Sequence, residues 1–413
     1  MEGLQPIYRR VAGIDVHRML HVVTVVIEHP DGSIEQISKE FGGFKRDCRA
    51  LAAWLVEWNV ELVVMESTGI YWKSIYAHIE RAGIQAWVVN AHFIKHVPGR
   101  KTDMNDSQWL AVLARFGLVR GSFIPPQDLR ELRLLSRYRR KLNAMRASEV
   151  NRLHKILDDG GIKLGGVVSD INGVSARAMV AGLINGVGIE QLLDMARGAL
   201  KGKREDLQAA LDGDLTLRHM FVLKHLHEHI DTLQRELAEL DAYILGAMTP
   251  YQWAHRLLQT IPGIDQIASA LILIEIGDDM TRFGCADRLA AWAALCPGNN
   301  ESAGKRKSGR TRKGNGIIRY ILCECANAAR MTKSSLAAKY KSLMVRKTHK
   351  KSIVSIAHKM IRLIYVLLSR KEAYHDPKID YNAMSARKNA PRWIKQLKLI
   401  GKWPDNKSAT ANA

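Results

Sequence analysis

Over the first 120 residues, short apolar runs alternate with segments of helical spacing. Residues 11–15 and 20–28 are rich in β-branched side chains, His29-Pro-Asp-Gly32 is a turn, and residues 33–38 can return as a third strand. Leu51, Leu55 and Trp58 give residues 44–58 a helical period. The pattern then predicts a strand at 62–66, a helix at 71–81, a strand at 85–89 and a helix at 105–116 carrying Trp109, Leu110, Leu113 and Phe116. Phe123-Ile-Pro-Pro126 marks a boundary.

Beyond that boundary the pattern is helical. Residues 129–157 form one long basic helix with Arg137, Arg139, Arg140, Lys141, Arg146, Arg152 and Lys155, broken by Gly160 and Gly161. Leu223, Leu226, Ile230, Leu233, Leu237, Leu240, Ile244 and Ala247 follow steps of three and four, an a/d heptad row that argues for a coiled coil. Two uses of that row stay open: a seam between protomers, or a hairpin with the 129–157 helix. Pro250 ends this helix, and Thr260-Ile-Pro-Gly-Ile264 resembles the turn of a helix-hairpin-helix, whose N–H groups can hold a phosphate. Such turns are also common for structural reasons alone. The expected fold is α/β plus all-α: an RNase H-like domain over 8–122, a basic helix and coiled-coil region over 123–250, a mostly helical domain over 251–370, and an extension over 371–413, with 406–413 disordered.

Charge narrows the partner. Lys+Arg 62 against Asp+Glu 41 gives a net charge of +21, suited to a polyanion. Residues 301–370 hold 18 Lys/Arg and two acids, interleaved with Ile317, Ile318, Leu322 and Leu343, so they read as a folded basic surface. Five scattered cysteines make neither a disulfide framework nor a CxxC metal motif. The first ten residues are polar, unlike a signal peptide, and runs such as 268–276 are too short to span a bilayer. The expectation is a protein of a reducing compartment with no membrane partner.

Four acids sit at element ends. Asp15 closes the first strand, Glu66 the fourth, and Asp103 and Asp106, three apart, open the 105–116 helix. Carboxylate oxygens are the ligands Mg2+ prefers, and paired ions clamp both oxygens of a phosphodiester displacement. In an RNase H-like fold these positions meet at one sheet edge. The segment from Leu295 to Asn315 is a glycine-rich basic loop with Ser302 and Ser308. A serine needs activation to become a nucleophile, and on chemistry alone a phosphate-binding loop whose serines only hydrogen-bond fits as well.

Three blocks then carry a resemblance: Gly13-Ile-Asp15-Val-His17, Glu66-Ser-Thr-Gly-Ile-Tyr-Trp72 and Lys101-Thr-Asp103-Met-Asn-Asp106-Ser107. They resemble the first domain of the DEDD insertion-sequence transposases (the IS one-ten and IS eleven-eleven group, relatives of the Piv DNA invertases). Pro262-Gly-Ile264, Leu289 to Gly298, the Ser302 loop, Gly314-Asn315 and Arg319 resemble the second block of that family. The resemblance implies a RuvC-like domain, a coiled coil and a transposase domain, in a bacterial cytoplasmic, nucleoid-associated enzyme. It implies that Asp15, Glu66, Asp103 and Asp106 bind Mg2+, for which Mn2+ may substitute, and that Ser302 forms a covalent phosphoserine link. It implies donor and target DNA and a structured bridge RNA as partners, with homodimers assembling into a tetramer. The family's serine usually precedes glycine, whereas Ala303 follows Ser302 here and Ser308-Gly309 is the true Ser-Gly pair. Counted from Pro297, Ser302 lies at the expected distance. Expected nucleic-acid contacts are Arg137, Arg140, Lys141, Arg146, Lys305, Arg306, Lys307, Arg310, Arg312, Lys313 and Arg319. The other readings are a RuvC-type nuclease using water, a Piv-like invertase without guide RNA, and a non-catalytic scaffold.

Overall fold

A computed structural model describes residues 5–67, 69–90, 94, 105–298, 300–311 and 313–402. Asp103, Arg312 and the 406–413 stretch lie outside the described residues, as do the side chains of Ser302, Arg306, Lys307 and Ser308. The chain divides into two compact units, residues 1–127 and 128–413.

The first unit is built on a five-stranded sheet in the order β3-β2-β1-β4-β5. Its strands are β1 (Arg10–Val16), β2 (Leu20–Glu28), β3 (Ile34–Gly42), β4 (Leu62–Glu66) and β5 (Gln85–Val89). The β1–β2 and β2–β3 pairs are antiparallel, while β1–β4 and β4–β5 are parallel. That is the meander followed by crossovers that the sequence pattern predicts. The third strand runs four residues further than expected. It is the sheet edge, and Glu35, Gln36, Ser38, Lys39 and Glu40 give it polar side chains on both faces, which hides its period.

Alternation along the strands divides the core into two layers. Ala12, Ile14, Val63 and Met65 pack with Leu51 and Leu55 of α1 (Lys45–Glu57) and Ile75 and Ile79 of α2 (Trp72–Arg81). Val11, Leu62, Val64 and Val89 face the other way, onto Trp109, Leu110 and Leu113 of α3 (Asp106–Arg115). Gly13 sets how closely α3 approaches. A Cβ there would lie 2.0 Å from the Ser107 carbonyl oxygen and 2.5 Å from the Ala111 nitrogen. Only a residue without a side chain lets the helix backbone rest on the strand.

In the second unit, α4 (Gln127–Asp159) and α9 (Leu217–Gly246) are long antiparallel partners. Arg139 pairs with Asp241, Glu149 lies 4.0 Å from His229, and Asp159 bonds His219 at 3.0 Å, so one number rises as the other falls. Leu142 packs on Leu233 and Leu237, and Leu153 and Leu157 share a cluster with Leu223 and Ile230. The heptad row is therefore packed inside the chain, as in the hairpin with the 129–157 helix, the second of the two uses left open. The reason is the loop between the helices. It folds into α5 (Leu164–Val167), α6 (Val174–Ile184), α7 (Ile189–Asp194) and α8 (Arg204–Leu211), whose Leu164, Met179, Leu192 and Leu207 complete that cluster.

The remaining helices are α10 (Gln252–Leu258), α11 (Gln266–Ile276), α12 (Ala286–Trp292), α13 (Gly316–Ala329), α14 (Ser335–Met344), α15 (His349–Arg370) and α16 (Tyr381–Leu399). By length and apolar content α15 could cross a membrane, which the run-length reading did not anticipate. Its apolar side is buried within the unit, through Ile353, Ile356, Met360, Ile361, Ile364 and Leu368. The turn at 260–264 joins α10 to α11. Gly263 has a φ of +88°, and a Cβ there would meet the Cys325 carbonyl oxygen at 2.4 Å. The N–H groups of Thr260, Ile261 and Ile264 bond to carbonyls of the same turn region. The turn packs closely against α13.

Gly13→Ala is expected to lower the stability of the first unit by about 3 kcal/mol, since backbone atoms must move; chemical denaturation with intrinsic fluorescence reads it, and an unchanged midpoint would refute the close approach. Leu233→Ala is expected to cost about 3 kcal/mol without altering the mass seen by light scattering. A changed mass at unchanged stability would return the row to an intermolecular seam.

Candidate functional site

Of the four acids, three lie among the described residues. Asp15 and Glu66 are on neighbouring parallel strands, one residue beyond the Ile14–Met65 pair. By alternation both point to the face that Gly13 and Val64 share, where α3 lies. Asp106 is the first residue of α3, directly before Ser107, the residue whose carbonyl rests on Gly13. The side chain of Asn105 caps this helix by accepting from the Gln108 N–H at 2.8 Å. Thr24, opposite Gly13 in register, shares a 2.7 Å hydrogen bond with Ser107 and one of 2.9 Å with Ser38. Buried hydroxyls thus pin the first turn of α3 over β1 and β2.

The three acids differ in exposure. Asp106 is exposed and Glu66 half-buried, while the Asp15 carboxylate lies 3.0 Å from Nε2 of the exposed His17. The donor set fits a hard divalent cation in kind, because every side chain in it offers oxygen. Among the described residues, however, no three His, Cys, Asp or Glu side chains converge at ligand distance. The fourth acid of the expected set, Asp103, is outside them.

The serine loop belongs to the second unit. β6 (Asn300–Ser302) and β7 (Lys305–Ser308) form an antiparallel hairpin in which Ser302 pairs with Lys305. The two linking residues, Ala303 and Gly304, have φ of 49° and 74°. Two successive left-handed residues make the turn whose twist matches a hairpin. Glycine tolerates that conformation freely, whereas alanine is strained in it. A glycine at position 303 would fit this turn without strain. The hairpin's root is closed by a Pro297–Thr311 bridge and by the Gly298 N–H donating to the Arg310 carbonyl at 2.8 Å.

A group that sequence reading missed anchors the loop's far end. Glu275 in α11 is fully buried, with 0% exposure. Its Oε2 accepts from the Asn315 side-chain amide at 2.7 Å and lies 3.4 Å from Arg133 Nη2. Its Oε1 lies 3.1 Å from Arg137 Nη1, without the alignment of a hydrogen bond. Arg133 also donates to the Glu275 carbonyl at 2.6 Å. Burial pulls the Arg133 guanidinium below its ordinary range, and the Glu275 charge opposes that shift. Asn315 in turn caps α13 by accepting from the Ile317 N–H at 2.9 Å. One carboxylate therefore ties α4, α11 and the start of α13 together. The available signal was a lone acid inside the apolar run Ala270-Leu-Ile-Leu-Ile-Glu275-Ile.

The expected nucleic-acid residues fall into several groups. Arg137 spends its charge on Glu275, and Arg146 donates to Asn143 at 3.0 Å. Arg140 is exposed and lies over the Tyr320 ring at 4.9 Å, while Lys141, Lys305, Arg310 and Lys313 are exposed. Arg319 donates to the Thr311 hydroxyl at 2.6 Å, bracing the hairpin's root. Arg306, Lys307 and Arg312 have no described side chains. The five cysteines are free; Cys325 is buried, which pushes its thiol up to about 12, outside any reactive range.

Two family models match this chain. "DEDD_Tnp_IS110: Transposase" covers residues 12–161 and "Transposase IS116/IS110/IS902 family" covers residues 255–341. The chain is 25% identical to a Coxiella burnetii "Transposase for insertion sequence element IS1111A" over 330 residues, 76% of this chain and 80% of that one. It is 22% identical to a Pseudomonas aeruginosa "Probable family 20 transposase" over 321 residues, 76% and 85% of the two chains. Among solved structures it is similar to Thermus thermophilus RuvC, with 14% identity over 27% of this chain and 99% of that one. The TM-score of 0.23 is too low to bear on the fold, which rests on strand order and register.

Glu275→Ala is expected to cost about 3–5 kcal/mol, because it strands a buried guanidinium; thermal melting reads it, and a loss below 1 kcal/mol would remove Glu275 from its central place. Ala303→Gly is expected to relieve about 1 kcal/mol of turn strain, seen as roughly fivefold slower hydrogen exchange of the amides in 300–308. Faster exchange would contradict the turn geometry.

Proposed function

Because the chain belongs to the IS110/IS116 transposase family, a family of DNA transposition enzymes, we propose that it cuts and rejoins DNA through a serine intermediate with the help of a carboxylate metal site. The observation that carries the reading is the placement of Asp15 and Glu66 at adjacent strand ends on one face, with Asp106 opening the helix that Gly13 seats there. Asp103 belongs to the same short segment as Asp106 and completes the acid set. Carboxylates gathered at one end of a sheet repel one another, and a cation offsets that repulsion. Asp15, Glu66, Asp103 and Asp106 would hold Mg2+, or Mn2+ in its place. When bound, the metal neutralises charge developing on the phosphate oxygens.

The rest falls to the chain's own groups. Ser302 Oγ forms a bond to phosphorus as the bond to the departing deoxyribose oxygen breaks, and the serine proton is transferred overall to that oxygen. One phosphodiester replaces another, so rejoining needs no external energy source. Lys305 and Arg310, both exposed, are suited to screening the scissile phosphate. The proposed partners are donor and target DNA and a structured bridge RNA from the element, held by protomers that pair as dimers into a tetramer. The proposed setting is the bacterial cytoplasm, at the nucleoid.

Trapping of a covalent protein–DNA adduct on a denaturing gel tests this mechanism. Asp15→Ala and Asp106→Ala are expected to lower recombination at least a thousandfold, the range typical of removing essential catalytic groups, with the melting profile kept. Ser302→Ala is expected to abolish the adduct while DNA and RNA binding persist, and Ser308→Ala to leave it. Adduct from Ser302→Ala but none from Ser308→Ala would move the nucleophile to Ser308.

A further inference from the structure

The last described helix, α16, lies beyond both matched stretches, the second of which ends at residue 341. It is joined to the second unit at its start. Tyr381 is buried, its hydroxyl 2.6 Å from Lys359 Nζ, with Lys339 Nζ 4.6 Å over its ring. The Ala383 N–H donates to Asp380 Oδ1 at 3.0 Å, capping the first turn.

Beyond Tyr381 the helix has a half-buried apolar stripe and an exposed cationic surface, in which Met384 and Leu399 also stand exposed. Ala383, Ala390, Ile394 and Leu397 are half-buried and recur at steps of seven, four and three, so they form one stripe. Arg387, Lys388, Arg392, Lys395 and Lys398 are exposed. At 100° per residue these five cations fall within an arc of about 140°, which begins beside the half-buried stripe at Arg387 and Lys398 and reaches the opposite side of the helix at Arg392. From residue 381 to 402 there are six cations and no acid. An ordinary solvated helix mixes both signs and pairs them three or four residues apart. Here no neutralising partner exists along the helix, so like charges repel one another with nothing on the helix itself to offset them. A polyanion is the partner whose chemistry matches.

We propose that α16 is a further DNA-binding element that lies along duplex DNA and contacts its phosphates through Lys388, Arg392, Lys395 and Lys398. These residues span about 15 Å of helix axis, enough to meet several phosphates. The contacts are to backbone, so the element adds affinity that is independent of base sequence. It rests on the enzyme's action on DNA, and is independent of the serine and the metal.

The test uses the full-length protein and an uncleaved duplex without divalent metal, followed by fluorescence anisotropy across a salt series. The triple variant Lys388→Gln, Arg392→Gln, Lys395→Gln is expected to lose on the order of tenfold in affinity, and its log–log salt slope to fall by about two to three. A control of equal charge change, Arg197→Gln, Lys201→Gln, Lys203→Gln, removes three exposed cations elsewhere in the same unit and is expected to keep both values near those of the parent. The charge-preserving pair Lys388→Arg, Lys395→Arg is expected to bind as the parent does, which separates charge from damage to the helix. Equal losses in the triple variant and the control, or an unchanged slope in the triple variant, would overturn the proposal. A loss confined to a structured RNA, with duplex DNA unaffected, would overturn it as well and make α16 an RNA surface.

Discussion

A carboxylate with no solvent exposure must be neutralised where it lies, and the second unit is organised around meeting that requirement. Glu275 sits in a helix that is otherwise apolar from Ile267 onward apart from Ser269. Removing its charge from water costs several kcal/mol unless cations and donors converge on it. Arg133 and Arg137 arrive from α4 and Asn315 from the head of α13. Satisfying one group thus fixes three helices at once. It also fixes the point where the serine hairpin re-enters the helical body, because Asn315 is both the partner of Glu275 and the cap of α13.

The first unit meets a different constraint, a steric one. A helix can rest directly on a strand only where the strand offers no side chain, and Gly13 is that place. Apolar residues on both sides, Trp109 and Leu110 against Val11 and Val64, supply the burial that holds α3 down. The consequence is chemical. Asp15 lies two residues along from Gly13, on the same face, and Asp106 directly precedes the helix residue that touches it. Packing and site geometry are the same contact seen from two sides.

The chain's charge is divided by use. Arg133, Arg137, Arg139 and Arg177 are bound in ion pairs that hold helices together. Lys141, Lys305, Arg310 and the cations of α16 are exposed. Net charge alone does not distinguish these two populations. A guanidinium placed beside a buried acid contributes to folding and is largely lost to a polyanion, whereas one on an open helix face keeps its field for a ligand.

Strand order, both crossover helices and the positions of Asp15, Glu66 and Asp106 at element ends were legible in the sequence. They depend on local periodicity and on breaks such as His29-Pro-Asp-Gly32, which act within a few residues. The polar edge strand β3 outran its expected end because an edge is not obliged to alternate. The a/d row of α9 was equally plain, but a heptad row records only that a helix has an apolar seam and not whose side chains will fill it. Leu142, Leu153 and Leu157 of the same chain fill it, brought round by the helical insert between α4 and α9. Likewise the sequence displays Glu275 as an acid among apolar residues, yet its partners stand 142, 138 and 40 positions away. Which cations bind nucleic acid and which bind the protein itself is likewise decided by contacts between distant segments, because burial is a property of the folded chain and not of any stretch of it.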